Sequence, residues 1–169
     1  YLEKMAEFFA GIGPTRYTVI RHSNIYGPYD KFDLERSHVF GATVNKILNC
    51  KDGEITLWGD GSEERDLLYI TDLVDFVRLA IKKQNAPFCL VNIGYGSSIS
   101  ITSLTTKIIE IAKKDIRITY DKSKPSIKTK LALDCTKAKH LFGWQPKVSL
   151  KKGIQKTIDW YKSNALIVE

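Results

Sequence analysis

The sequence of 169 residues predicts an α/β fold in which the strands pair in parallel. Short runs rich in β-branched and apolar residues, such as segment 17–20, alternate with longer segments whose apolar residues recur at helical spacing. Glycine, proline and serine separate these runs, as they do in turns. Because a helix between two strands forms a crossover connection, this alternation favours parallel pairing.

Each element follows from its local pattern. The first helix covers 2–9, with Met5, Phe8 and Phe9 on one side, and ends at segment 11–14, Gly-Ile-Gly-Pro. Ser37 is predicted to cap a helix whose apolar residues extend to Leu48. The further predicted strands are 17–20, 55–58, 67–70, 89–93 and 116–120; the further helices run from Thr71 or Asp72 to Lys83 and over 102–114, 136–142 and 150–164; and the loops include 21–28, 59–62, 94–98 and 122–130.

Composition excludes several classes of protein. Hydrophobic residues make up 43% of the chain and charged residues 27%, which is typical of a globular domain and not of a disordered chain. The apolar runs are far shorter than a membrane span, and the N-terminus lacks a signal pattern, so we expect a cytoplasmic protein that does not bind membranes. Three separated cysteines without a CxxC pair predict structural thiols in a reducing compartment. No metal site is expected.

The net charge of +7 is unevenly distributed. Residues 1–85 carry 11 basic and 13 acidic side chains, whereas residues 86–169 carry 15 and 6. Such asymmetry is compatible with a nucleic acid, an anionic membrane or a phosphorylated small substrate. The lysines are dispersed over the predicted helices without the interleaved aromatic residues of single-strand binders, so we expect no nucleic-acid partner.

Four segments, in this order, resemble the C-terminal half of the extended short-chain dehydrogenase/reductases, the NAD-dependent family of nucleotide-sugar epimerases, dehydratases and reductases. They are Lys4 in its helix, segment 21–28, segment 58–73 and segment 142–146. The resemblance implies the C-terminal part of a Rossmann-type parallel-sheet domain interleaved with a smaller α/β substrate-binding domain, over residues 1–169. It further implies NAD or NADP as cofactor, a nucleotide-diphosphate sugar as ligand, and a homodimer of the full-length protein.

The family's active site uses a tyrosine four residues before a lysine, which binds the nicotinamide ribose and lowers the pKa of the phenol. Matching Lys4 to this catalytic and cofactor-binding lysine places the tyrosine immediately before Tyr1. The glycine-rich dinucleotide loop is also missing, because the eleven glycines form no GxGxxG pattern. We therefore expect an absent N-terminal half and no catalysis by this chain alone. The alternative for Lys4 is a solvated surface lysine.

Segment 37–39 followed by a helix resembles, within this family, the GDP-L-fucose synthases. That resemblance implies that His38 is the acid of an epimerisation and that Val39 contacts substrate. A neutral-pH imidazole can protonate an enolate carbon; the alternative is a polar residue in the first helical turn. Asn24 follows the strand over 17–20, where the resemblance places nicotinamide and sugar, and a loop asparagine with only structural contacts is the alternative.

Four further residues match substrate-binding positions by resemblance. Arg65 matches a diphosphate-binding arginine, with a surface ion pair to Asp66 or Asp72 as the alternative. Lys46 lies where the GDP-L-fucose synthases carry an arginine that faces the diphosphate. Trp58 is expected to cover the sugar or base unless it packs in the core. Lys130 lies in a basic loop over the nucleotide, which here lacks the Asp-Gly of those synthases.

These features predict an epimerase/reductase of a GDP-4-keto-6-deoxy sugar. The first alternative is a C4-epimerase or 4,6-dehydratase of another nucleotide sugar, for which His38 is not required. A non-catalytic basic binding module is the alternative from another class.

Overall fold

The structure is a computed structural model that describes residues 1–34, 36–124 and 129–164. Within these ranges the strands and helices alternate for most of the chain. The elements are α1 (Leu2–Ile12), β1 (Tyr17–His22), β2 (Asn24–Tyr26), α2 (Val39–Leu48), β3 (Glu54–Trp58), β4 (Glu64–Tyr69), α3 (Ile70–Lys83), β5 (Phe88–Ile93), β6 (Ser98–Ser100), α4 (Ile101–Ala112), β7 (Arg117–Asp121), α5 (Thr136–Phe142) and α6 (Leu150–Ser163).

The strands in the described part of the chain form three small groups. β1 pairs in parallel with β5, and β3 pairs in parallel with β7. β2 pairs in parallel with β4, whose opposite edge pairs with β6 in the antiparallel direction. The predicted α/β fold with parallel pairing is confirmed, and β6 is an antiparallel exception that pairs with β4 although α3 and β5 lie between the two strands in the chain.

Among the residues that the structure describes, two hydrophobic clusters form the core. The first is built mainly from α2, α4 and α6, and it contains the fully buried residues Phe40, Val44 and Ile158. The second lies around α3, β5 and α5, where Phe76 packs edge-to-face against Phe142 and Trp144. β4 contributes to both clusters, because Leu67 and Leu68 point to opposite faces of the strand. β4 therefore lies between the two parts of the fold.

Several predicted boundaries are wrong. Segment 24–26 lies within the predicted loop 21–28 but forms β2. Residues 98–100 form β6, whereas the sequence places Ser98 at the end of the predicted loop 94–98 and predicts no element for residues 99 and 100. Strand β4 begins at Glu64 rather than at residue 67, because Glu64, Arg65 and Asp66 pair with β6. Ser37 does not cap α2: His38 is the residue before the first helical turn, and Ser37 Oγ is buried with no hydrogen-bond partner among the described residues. Tertiary contacts therefore determine whether these short elements form and where they begin.

Gly41 in α2 allows the segment before the helix to lie close to the helix backbone. A Cβ atom added there would lie 2.3 Å from the carbonyl oxygen of Lys31. We expect Gly41→Ala to destabilise the protein by about 1–3 kcal/mol, because a backbone atom would have to move. Gly11→Ala is the control, since Gly11 lies in α1 with nothing within 4 Å of the added atom. Urea unfolding should show a loss for the first variant and a small gain for the second; equal midpoints would contradict this close contact.

Candidate functional site

A cleft of about 650 Å³ opens where the chain passes from one sheet to another. Ser23 separates β1, which pairs with β5, from β2, which pairs with β4. The carboxyl end of a parallel strand at such a switch is the expected position of a ligand in an α/β sheet. We call this the first cleft; it is lined by segment 22–25, His38, segment 64–66, segment 129–131 and Leu133.

His38 is the N-cap residue of α2 and lines the first cleft. Its imidazole is exposed, and it makes no side-chain capping bond to the helix. His38 also borders a smaller cavity of about 270 Å³, which Asp30 shares. Burial raises the pKa of Asp30, and its Oδ2 atom has no hydrogen-bond partner among the described residues. The structure therefore places a titratable imidazole in the cleft, free to contact a ligand.

Asn24 lines the same cleft. Its Nδ2 atom donates to the carbonyl oxygen of Asp66 at 3.1 Å, which fixes the amide plane and leaves the amide oxygen free of this bond. Ser23 precedes it, and Ser23 Oγ is buried without a partner among the described residues. An unsatisfied buried hydroxyl is uncommon in native proteins and marks a position where a ligand or a water molecule is expected.

Arg65 extends from β4 into the first cleft and is held by three acceptors. Its Nη2 atom donates to Glu63 Oε2 at 2.9 Å, and its Nη1 atom donates to Glu64 O at 2.9 Å and Thr129 Oγ1 at 2.8 Å. The ion-pair partner is thus Glu63, and the predicted alternative of a pair with Asp66 or Asp72 is wrong. The guanidinium is oriented by these contacts rather than by solvent.

Lys130 lies beside Arg65 in the first cleft. Its Nζ atom is 3.4 Å from Glu64 Oε1, and the lysine side chain is mostly exposed. Glu64 also accepts a hydrogen bond from Ser98 Oγ. The Ser98 hydrogen bond and then the charge of Lys130 hold the pKa of Glu64 below its usual value. Two cations and at least one ionised carboxylate therefore meet at this side of the cleft.

The sequence predicts Asp66 only as an alternative ion-pair partner of Arg65, whereas the structure gives it a structural role. Its carboxylate is buried and accepts three backbone N–H groups: those of Tyr95 at 2.7 Å, Gly96 at 3.1 Å and Leu133 at 3.0 Å. Asp72 has a related role, since it accepts the N–H of Val148 at 3.0 Å. An acidic residue directly before the apolar run 67–70 was the available sequence signal, because a charge beside a buried strand requires a partner.

Lys46 and Trp58 lie apart from the first cleft. They line a second cleft of about 660 Å³ between the last turns of α2 and β3, together with Asn45, Asn49 and Asp121. Trp58 is 59% exposed, so the predicted alternative of core packing is wrong. The Nζ atom of Lys124 lies 5.9 Å from the centre of the indole ring. The exposed ring can stack on a planar ligand.

Lys4 and Val39 line neither cleft. Lys4 is exposed on α1 and donates to Glu7 Oε2 at 2.7 Å; this hydrogen bond raises the pKa of the ammonium group. Val39 is half-buried in the first turn of α2. The structure thus brings Asn24, His38, Arg65 and Lys130 together, places Lys46 and Trp58 in the second cleft, and leaves Lys4 and Val39 outside both.

The described residues contain no group of three or more His, Cys, Asp or Glu side chains placed to hold a metal ion. None of the helices in the described ranges has the length and apolar character that a membrane crossing requires.

The chain is similar to known proteins over most of its length. GDP-L-colitose synthase of Yersinia pseudotuberculosis is 36% identical over 82% of this chain and 46% of its own, and GDP-L-fucose synthase 1 of Arabidopsis thaliana is 34% identical over 84% and 44%. Among solved structures, UDP-glucose 4-epimerase of Thermotoga maritima with UDP-glucose is 32% identical, with a TM-score of 0.86 over 96% of this chain and 51% of its own.

The chain therefore spans about half the length of the relatives it matches. Its residues 1–94, more than half of the sequence, match the family described as NAD dependent epimerase/dehydratase. The α/β fold with parallel sheets agrees with the likeness to the Thermotoga maritima epimerase structure. On these grounds the chain belongs to the NAD-dependent epimerase/dehydratase family of short-chain dehydrogenase/reductases.

Proposed function

We propose that this chain is the C-terminal, substrate-binding portion of an epimerase/reductase that acts on a GDP-4-keto-6-deoxy sugar. The observation that carries the proposal is the first cleft, where the imidazole of His38, the amide of Asn24 and the cations of Arg65 and Lys130 line one space. A sugar that carries a diphosphate needs this combination of a proton donor, a hydroxyl-binding amide and positive charge.

His38 is proposed as the acid of the epimerisation. A C4 ketone acidifies the hydrogens on C3 and C5, so that a base can remove one and leave an enolate. Proton return from the imidazole to the opposite face inverts the carbon and leaves His38 neutral until water reprotonates it. The exposure of the ring in the cleft supports this role. The relatives named as GDP-sugar synthases support GDP as the nucleotide.

The nucleotide end of the substrate is proposed to extend towards the second cleft. Trp58 ends β3 and Arg65 lies near the start of β4, with a short turn over 59–63 between these strands. Arg65 and Lys130 would contact the diphosphate from the first cleft and Lys46 from the second, while the exposed indole of Trp58 would stack on the base. Val39 is half-buried in the first turn of α2, and its exposed part would contact the substrate.

The residues of this chain fit the nicotinamide end of NAD or NADP. Ser23 Oγ is a buried hydroxyl without a partner among the described residues, and Asn24 beside it lines the first cleft. These two side chains would hold the carboxamide, and Lys4 on α1 would hold the ribose. When bound, the cofactor supplies the hydride that reduces C4. The contribution of this chain is to orient the sugar and to move protons.

The full-length protein is further proposed to be a homodimer in a reducing compartment such as the cytoplasm. Phe8 and Ile12 on α1 are more than 60% exposed, which supports an interface on this helix. Cys50, Cys89 and Cys135 are free thiols, which supports the reducing compartment.

A C4-epimerase or 4,6-dehydratase of another nucleotide sugar is the second candidate. It is favoured by the likeness to a UDP-glucose 4-epimerase structure and by the lack of the Asp-Gly pair in segment 122–130. A non-catalytic basic binding module is the candidate from another class. Steep salt dependence of RNA or DNA binding would support it.

Arg65→Gln tests the diphosphate site. In the full-length protein that carries this chain, we expect this variant to bind GDP-mannose about 10–30-fold more weakly by calorimetry, because a charge-assisted bidentate contact is lost. Arg78→Gln is the control, since it removes the same charge from an exposed position on α3. The same calorimetric measurement with UDP-glucose distinguishes the two enzyme candidates. Tighter binding of GDP-mannose favours the first candidate, and tighter binding of UDP-glucose favours the second. Equal affinities of wild type and Arg65→Gln would contradict the site.

A further inference from the structure

Two carboxylates lie beside the two cations of the first cleft. Glu63 Oε2 is 2.9 Å from Arg65 Nη2, and Glu64 Oε1 is 3.4 Å from Lys130 Nζ. The Glu63 side chain is only 14% exposed and the Arg65 side chain 24%, so solvent and salt screen this pair less than a surface pair. An acidic pair is unexpected at a site proposed to bind a diphosphate.

Arg65 nevertheless retains donors for a ligand. A guanidinium has five N–H groups. Both N–H groups of Nη1 and one of Nη2 are accounted for by Glu64 O, Thr129 Oγ1 and Glu63 Oε2. The Nε–H and the second N–H of Nη2 have no partner among the described residues, so Arg65 retains two donors for an oxyanion while Glu63 stays in place.

The four charged groups cancel one another, because two carboxylates match two cations. Asp66 adds a third carboxylate, which three backbone N–H groups stabilise, and His22 and His38 are the other titratable side chains with which the described part of the chain lines the cleft. Among the described residues the cleft therefore has no excess of positive charge, so the charge of the ligand determines how strongly the carboxylates repel it. Each additional negative charge on a ligand at Arg65 meets the Glu63 carboxylate at close range.

Nucleotide sugars and free nucleoside diphosphates differ in this charge. In a nucleotide sugar both phosphates are esterified and each carries about one negative charge. In a free nucleoside diphosphate the terminal phosphate has a second ionisation near pH 6 and carries close to two negative charges at neutral pH. Resting on the proposed function, we propose that Glu63 is a specificity-determining residue that makes the first cleft prefer the diphosphate of a nucleotide sugar to a free nucleoside diphosphate.

Glu63→Gln tests this proposal, because glutamine keeps the size of the side chain and an acceptor for Arg65 Nη2 but removes the charge. We measure the dissociation constants of GDP and GDP-mannose for the full-length protein by calorimetry at pH 7.5. In the wild type GDP-mannose is expected to bind more tightly than GDP. The ratio of the dissociation constant of GDP to that of GDP-mannose is expected to fall about fivefold in Glu63→Gln, mainly because GDP binds more tightly.

Two further variants complete the experiment. Glu110→Gln removes the same charge from an exposed position on α4 and is expected to leave the ratio unchanged. Glu64→Gln removes the second carboxylate and is expected to lower the ratio in the same direction as Glu63→Gln.

The outcomes separate this inference from the proposed function. A fivefold fall of the ratio in Glu63→Gln but not in Glu110→Gln supports the inference. An unchanged ratio, with both ligands bound as tightly as by the wild type, overturns it and leaves the diphosphate site intact. A wild-type protein that binds neither GDP nor GDP-mannose overturns the diphosphate site, and the inference with it.

Discussion

His38→Asn is expected to lower the exchange of the C3 and C5 hydrogens of the substrate with solvent by about 10²–10⁴-fold. Asparagine retains a polar side chain of similar reach but has no proton to deliver at neutral pH. The ring of His38 lines the first cleft and makes no capping bond to α2, so its removal leaves the helix start unchanged. The loss should therefore appear in the chemistry and not in the stability.

Exchange is measured in the full-length protein by incubating the 4-keto sugar nucleotide in D₂O and following deuterium incorporation by mass spectrometry. His140→Asn is the control, because His140 is exposed on α5 and lines neither cleft. Exchange that survives in His38→Asn at the wild-type rate would remove the GDP-L-fucose synthase-like assignment. The C4-epimerase or 4,6-dehydratase would then be the better proposal.

Asp66→Asn is expected to destabilise the protein by about 2–4 kcal/mol. The carboxylate of Asp66 accepts three backbone N–H groups, two on Oδ2 and one on Oδ1. An asparagine amide presents one oxygen and one NH₂ group, so at least one of the three N–H groups faces another donor. In this buried position the unpaired donors are costly, because water cannot replace the lost acceptor.

Asp134→Asn is the matched control for this variant. Asp134 is exposed and accepts the N–H of Thr136 at 2.9 Å before α5, a position where asparagine is as good an acceptor as aspartate. Urea unfolding should give a change below about 0.5 kcal/mol for the control. Equal stabilities of wild type and Asp66→Asn would show that the three N–H groups find other acceptors.

Because Leu133 is one of the three donors, Asp66→Asn should also loosen segment 129–131 and weaken the contact of Lys130 with a ligand.

The periodic segments of the sequence predicted the long elements well. Apolar residues at helical spacing marked α2, α3 and α6, and β-branched runs marked β1, β3 and β5, because these patterns reflect burial of one face. The three-residue strands β2 and β6 were missed, since so few residues have no measurable period. Their pairing with β4 depends on residues more than 30 positions away in the chain.

The candidate site was predicted in its residue types but not in its arrangement. The sequence predicts site residues at four separate positions, and the structure places these around one cleft: Asn24, His38, Arg65 and Lys130. Lys46 and Trp58 were selected for the same ligand but line the second cleft. Whether they contact one substrate remains a prediction, as does the role of Lys4.

The sequence by itself determined the family, the α/β class and the chemical groups that a ligand could meet, because these depend on local patterns and on the order of motifs. Only the tertiary structure decided which groups share a cleft, that Arg65 pairs with Glu63, and that Asp66 binds backbone N–H groups instead of a cation. The physical reason is that hydrogen bonds and ion pairs act over about 3 Å in space, whereas partners such as Asp66 and Leu133 lie 67 residues apart in the chain.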